Sequence, residues 1–226
     1  LRSWEKFLPG PKRYVILGHQ PDWLVETHNL TIHDLPDPYR NNKDANLISK
    51  LCHWSFIDDH EADPFIFCSD DQGLLRRVDD FDFAFQPWQG GTIKQNERTK
   101  FRKRLWSVGS LMRRQGVEIP KFMDCHIPYL LRKSWCQRAL EVDFGNQPGY
   151  TVCTLMHHLG EVHSGPYIHD FPIRAQVRRA SEGAESIRER FAKSQFWSLF
   201  EKGARHEVVR GYLEELLPEP AEWEND

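Results

Sequence analysis

A chain of 226 residues with 39% hydrophobic content can bury a core of its own, and its length points to one catalytic unit rather than several domains. No apolar run approaches the roughly eighteen residues of a membrane span, and the opening Leu-Arg-Ser-Trp lacks a signal-peptide pattern, so a cytoplasmic protein without a membrane span is predicted. The formal charge of -3 conceals a basic segment, in which Lys94, Arg98, Lys100, Arg102, Lys103, Arg104, Arg113 and Arg114 stand against the single acid Glu97.

In chain order, the apolar spacing of Leu1, Trp4, Phe7 and Leu8 predicts a helix, stopped by Pro9-Gly10-Pro11. Tyr14-Val-Ile-Leu17, closed by Gly18, reads as a buried strand, and Leu30-Thr-Ile32 as a second. A helix follows from about Asp44 to Trp54, with Ala45, Leu47, Ile48, Leu51 and Trp54 at helical spacing. After Asp63-Pro64, the run Phe65 to Cys68 is too short for a helix and too apolar for an exposed loop, and reads as a central strand. Phe81 to Trp88 reads as a strand or bent ribbon. From there the signals are helical, over 97–115, 129–140, 151–159, 175–191 and 206–217, and the acidic, proline-bearing tail 218–226 reads as loosely held. Strands alternating with helices predict an α/β fold with a mostly parallel sheet flanked by helices, a helix-rich C-terminal half, and ligands beyond the carboxyl ends of the strands.

Asp70 and Asp71 sit at such an end. Adjacent acids there suit a hard divalent cation, Mn²⁺ or Mg²⁺, which takes carboxylate oxygens and keeps positions open for phosphate. Two acids after a strand are more often a solvated turn, but these follow three large apolar residues and precede Leu74-Leu75. Asn41-Asn42-Lys43-Asp44-Ala45-Asn46 opens a helix whose free amides could receive a phosphate, the ordinary alternative being a polar helix start capped by Asn42 or Asp44. Asp124 and His126, before Pro128, are candidates to take a proton from an acceptor hydroxyl, although a histidine in such a place is more often structural. The basic segment is either a grip on DNA phosphates or a solvated amphipathic helix. Five scattered cysteines, Cys52, Cys68, Cys125, Cys136 and Cys153, form no Cys-x-x-Cys pair and read mostly as buried thiols; the histidines His157, His158, His163 and His169 have no zinc-ligand spacing.

Taken together, Leu1-Arg-Ser-Trp-Glu-Lys-Phe-Leu8, Val15-Ile-Leu-Gly-His-Gln-Pro-Asp-Trp-Leu24, Asn42-Lys-Asp-Ala-Asn-Leu-Ile48 and Phe65-Ile-Phe-Cys-Ser-Asp-Asp-Gln72 resemble the ordered blocks of bacteriophage-encoded GT-A-type glycosyltransferases related to the Stealth sugar-phosphate transferases. Asp124-Cys-His-Ile-Pro128 resembles the later His-x-Pro block, and Leu216-Leu-Pro-Glu-Pro220 the usual ending, so the likeness spans nearly the whole chain. The resemblance implies a nucleotide-sugar donor, with Asp70 and Asp71 as metal and donor-phosphate acids, Lys43, Asp44 and Asn46 as a donor-side block, and His126 near the reacting centre. It further implies a strand and a glycine- or arginine-bearing loop ahead of residue 1. The division that follows is a donor and metal half over 1–93, a helix-rich acceptor half over 94–217 and a tail over 218–226. For a phage-encoded chain acting in the host cytoplasm, the acceptor implied is a hydroxymethylated pyrimidine in double-stranded DNA, with Lys94, Arg98, Lys100, Arg102, Lys103 and Arg104 on its backbone. Two alternatives stand beside this reading: a sugar-1-phosphate transferase of surface-polysaccharide synthesis, and a non-catalytic nucleic-acid-binding protein.

Overall fold

Punctuation by proline, glycine and helix caps sets the local structure of the first sixty residues. A computed structural model describes residues 1–58, 63–95, 98–146, 148–179, 181–219 and Glu224. Helix α1 (Arg2–Phe7) ends before the Pro-Gly-Pro turn, and β1 (Tyr14–Leu17) pairs in parallel with β2 (Leu30–His33), with Tyr14 opposite Leu30. The loop after β2 leads to α2 (Lys43–Ile57), which Asn42 caps by accepting the Ala45 N–H at 3.3 Å. Ala45, Ile48, Leu51, Cys52 and Trp54 form its buried stripe. Truncating Ile48 or Leu51 to Ala in so enclosed a position costs about 2–5 kcal/mol.

The chain is mixed α/β, but its described strands do not form one mostly parallel sheet. They make four small sheets, the largest of three strands. β3 (Phe65–Phe67) is present where the sequence predicts it, yet it pairs antiparallel with β7 (Tyr129–Leu131). The three-stranded sheet has β9 (Phe196–Leu199) at its centre, antiparallel to β4 (Gln72–Leu74) and parallel to β8 (Arg174–Val177). A short antiparallel pair joins β5 (Gly91–Thr92) to β6 (Lys121–Phe122). β4 carries Gly73 because a side chain there would strike Ser3 Oγ and the Trp197 ring, each under 3 Å from an added Cβ.

Three local expectations change. The stretch 81–88 contains a helical turn, α3 (Phe81–Ala84), rather than a strand, because Asp80 accepts the Phe83 N–H at 2.9 Å and caps it. The predicted helix over 129–140 is a strand, β7, followed by α5 (Lys133–Arg138), and that over 175–191 is β8 followed by α7 (Ala184–Lys193). In both, apolar residues at the segment's start are taken up by a distant strand, β3 for β7 and β9 for β8. Helices α4 (Lys100–Arg114), α6 (Val152–Leu159) and α9 (Glu207–Leu216) stand as predicted, though the start of the first at Glu97 lies outside the described residues, and the four-residue α8 (Glu201–Ala204) joins β9 to α9. In the tail, Glu224 is held rather than loose: it pairs with Leu24 and accepts from Arg2 Nε at 2.8 Å.

The main core gathers Trp4, the inner faces of α2 and α4, Trp88, Tyr129 and α6; a second cluster packs α7 and α9 onto β8 and β9 through Val177, Ile187, Phe191 and Val209. Cys52, Cys125, Cys136 and Cys153 are buried free thiols, whereas Cys68 is exposed. No helix among the described residues is long and apolar enough to cross a membrane.

Candidate active site

Asp71 lies between β3 and β4, at the edge of the three-stranded sheet, where its carbonyl accepts the Leu199 N–H at 3.0 Å and fixes the turn to β9. Its carboxylate is half-buried. Oδ2 stands 4.0 Å from Nδ1 of His126, and Oδ1 is buried with no hydrogen-bond partner among the described residues. Burial lifts the Asp71 carboxyl above its ordinary value, an effect opposed by His126, added to by the neighbouring Asp70 and opposed again by Lys43. Asp70 itself is exposed.

His126 is brought to Asp71 by the loop between β6 and β7. Its backbone is left-handed, φ 53°, a conformation that L side chains adopt at a cost and that surrounding contacts must enforce. Those contacts are visible on the preceding residue. The Cys125 N–H donates to the Tyr129 hydroxyl at 2.9 Å, that hydroxyl donates to the Trp88 carbonyl at 3.2 Å, and the Arg174 guanidinium donates to the Cys125 carbonyl. The imidazole packs on the Phe200 ring, centroids 5.0 Å apart, and makes no hydrogen bond to the described residues. Burial depresses the His126 pKa; Asp71 raises it, Arg174 lowers it, Asp124 raises it and Arg178 lowers it, with a net fall that keeps the ring neutral near pH 7.

Asp124 is occupied elsewhere. Its Oδ1 accepts the Cys153 N–H and its Oδ2 the Thr154 N–H, each at 3.0 Å, and Oδ2 also takes the Thr154 hydroxyl. It anchors the N-terminus of α6, a stabilising place for a carboxylate, so of the two predicted bases His126 has the available ring and Asp124 has the structural task.

The donor-side block divides similarly. Lys43 is exposed at the first turn of α2 and within electrostatic reach of Asp71. Asp44 is tied to Arg104 Nη1 at 3.0 Å. Asn46 braces the loop before the helix, accepting the Tyr39 N–H at 2.7 Å and donating to the Tyr39 carbonyl at 3.3 Å. In the basic segment, Lys94, Arg98, Lys100, Arg102 and Lys103 are exposed, but Arg104 is turned inward, its guanidinium held by Asp44. Arg113 also turns in, stacking on Trp106 and donating to the Ile93 carbonyl at 2.8 Å.

Among the described residues no three histidine, cysteine or acidic side chains converge to cage a metal. An orphaned carboxylate oxygen on Asp71 with Asp70 beside it nevertheless fits a hard cation of the Mg²⁺ class, which uses one or two carboxylates and completes its shell with water and phosphate. Arg174 and Phe200, which shape this site, carry no local sequence signal. They reach it from the strand β8 and the end of β9, a juxtaposition made by sheet pairing. No protein-family model and no curated protein matches the sequence.

Proposed function

We propose that the chain is a metal-dependent glycosyltransferase of GT-A type, moving a sugar from a nucleoside-diphosphate donor to an acceptor hydroxyl. The observation that carries this reading is the Asp71–His126 pair: a half-buried carboxylate with one unpaired oxygen, 4.0 Å from a neutral, solvent-reachable imidazole. The resemblance of the ordered blocks to phage glycosyltransferases supports it. Asp71, with Asp70, would hold Mn²⁺ or Mg²⁺, which when bound supplies positive charge against the leaving diphosphate. Lys43 adds a cation within electrostatic reach of Asp71. His126 accepts the proton of the acceptor hydroxyl; the acceptor oxygen bonds to the anomeric carbon, and the bond from that carbon to the diphosphate breaks, its electron pair leaving on the nucleoside diphosphate.

For the acceptor, the exposed cations Lys94, Lys100, Arg102 and Lys103 at and before the N-terminus of α4 favour a polyanion, and we read it as double-stranded DNA bearing a hydroxymethylated pyrimidine. The test is mass spectrometry after incubation with Mn²⁺, a panel of sugar nucleotides, and plain or hydroxymethylated duplex. Added hexose or pentose mass on the modified duplex alone is the predicted outcome. Labelling of a free glycan instead removes the DNA acceptor. Release of a nucleoside monophosphate identifies sugar-1-phosphate transfer, and salt-sensitive DNA binding without turnover of any donor identifies a non-catalytic nucleic-acid-binding protein.

A further inference from the structure

A cavity of about 570 Å³ opens beside the N-termini of α2 and α4, where the loop after β2 meets the two helices. Four of its lining residues are cations, Lys43, Lys50, Lys100 and Arg104, against one lining acid, Asp37. Lys50 is paired to Asp37 at 2.8 Å and Arg104 to Asp44 at 3.0 Å. Lys43 and Lys100 have no acidic partner among the described residues, so the cavity carries uncompensated positive charge, augmented by two fifteen-residue helices that start at it.

Helix ends and surface lysines alone would be weak grounds. The stronger observation is Arg104, which is 8% exposed yet lines the cavity. Its Nη1 is held by Asp44 and its Nε donates to the Pro148 carbonyl at 3.2 Å, leaving Nη2 without a partner among the described residues. A guanidinium fixed at two nitrogens and open at the third is pre-organised for an oxyanion, because its orientation is already set by the protein. Asn42 also lines the cavity, its side chain committed to the cap of α2 through Oδ1.

We propose that this cavity is a phosphate-binding site, anchored by Arg104 Nη2 and closed by the ammonium groups of Lys43 and Lys100. It extends the transferase reading to residues outside the Asp71–His126 pair, and it is measurable whether or not sugar is transferred. Two sources offer the same chemistry, the diphosphate of a nucleotide donor and a backbone phosphate of a nucleic acid acceptor.

The experiment is a titration of ¹⁵N-labelled protein with inorganic pyrophosphate, following the backbone amides of Lys43, Asp44 and Lys100 and the Nε–H of Arg104. These four signals should saturate together with one affinity. Arg104→Lys keeps a charge against Asp44 but removes the fork, and should weaken binding tenfold or more; Lys100→Gln, on the surface and without risk to the fold, should weaken it several-fold. Shifts that follow the exposed Arg102, Lys103 and Arg114 without saturating, or unchanged affinity in both variants, would overturn the site. Competition then names the source: displacement of pyrophosphate by a nucleoside diphosphate, or by a short duplex, upholds the proposal and says which phosphate is held, while displacement by neither sinks it. A saturable pyrophosphate site in a protein that transfers no sugar upholds the cavity and refutes the transferase reading; transfer without such a site does the reverse.

Discussion

Asp71 and Asp44 are both half-buried carboxylates lifted above their ordinary range chiefly by burial, yet their surroundings are opposite. Asp44 spends its charge on Arg104 at 3.0 Å, and that pair joins α2 to α4. Asp71 stands 4.0 Å from a neutral histidine with one oxygen unpaired. A buried charge left without a partner costs stability, so a fold keeps one where the charge has other work; a paired charge fixes elements relative to each other. The contrast separates a centre suited to chemistry from a platform suited to holding a ligand.

The sharpest way to break that contrast is Asp71→Asn. Transfer should fall by about a hundredfold or more, while the urea midpoint stays unchanged or rises slightly, because a penalised charge has been removed. A variant that loses stability instead would make Asp71 a structural residue. Asp44→Ala should behave in the reverse sense. Stripping Arg104 of its partner leaves a largely buried guanidinium uncompensated, with an expected loss of about 3 kcal/mol in unfolding free energy. If urea unfolding shows no loss, the pair does not join the helices.

The smallest of these effects is the pH dependence of transfer. Asp71 must be ionised, and its pKa is raised above 3.8; His126 must be neutral, and its pKa is lowered below 6.5. Both requirements are met as pH rises, so the rate should climb with pH on the acidic side, by about tenfold per unit below the pKa of whichever group governs. A rate that fell with rising pH over the acidic range would exclude a neutral His126 as the base.

Much of the first seventy residues was legible because their signals are local. Pro9-Gly10-Pro11 stops α1, Asn42 caps α2, and Ala45, Ile48 and Leu51 mark its inner face. The candidate site was half legible: Asp71 and His126 stood out by residue type and position, and the structure brings them together, whereas Asp124 and Asn46 have the same chemical capacity but are tied to a helix end and a loop. Phe81-Asp-Phe misled because apolar alternation mimics a strand, while the Asp80 cap that decides the matter is a single hydrogen bond.

By itself, the sequence determined the α/β class, the early helices and strands, the basic segment before α4 and the acidic pair after β3, since each depends on spacing within a few residues. Tertiary structure alone decided that β3 runs antiparallel to β7, that 174–177 is a strand, that Phe200 and Arg174 flank His126, and that Arg104 points inward. Those outcomes depend on pairings across tens of residues, where closing the chain costs entropy that only the assembled core and sheets repay.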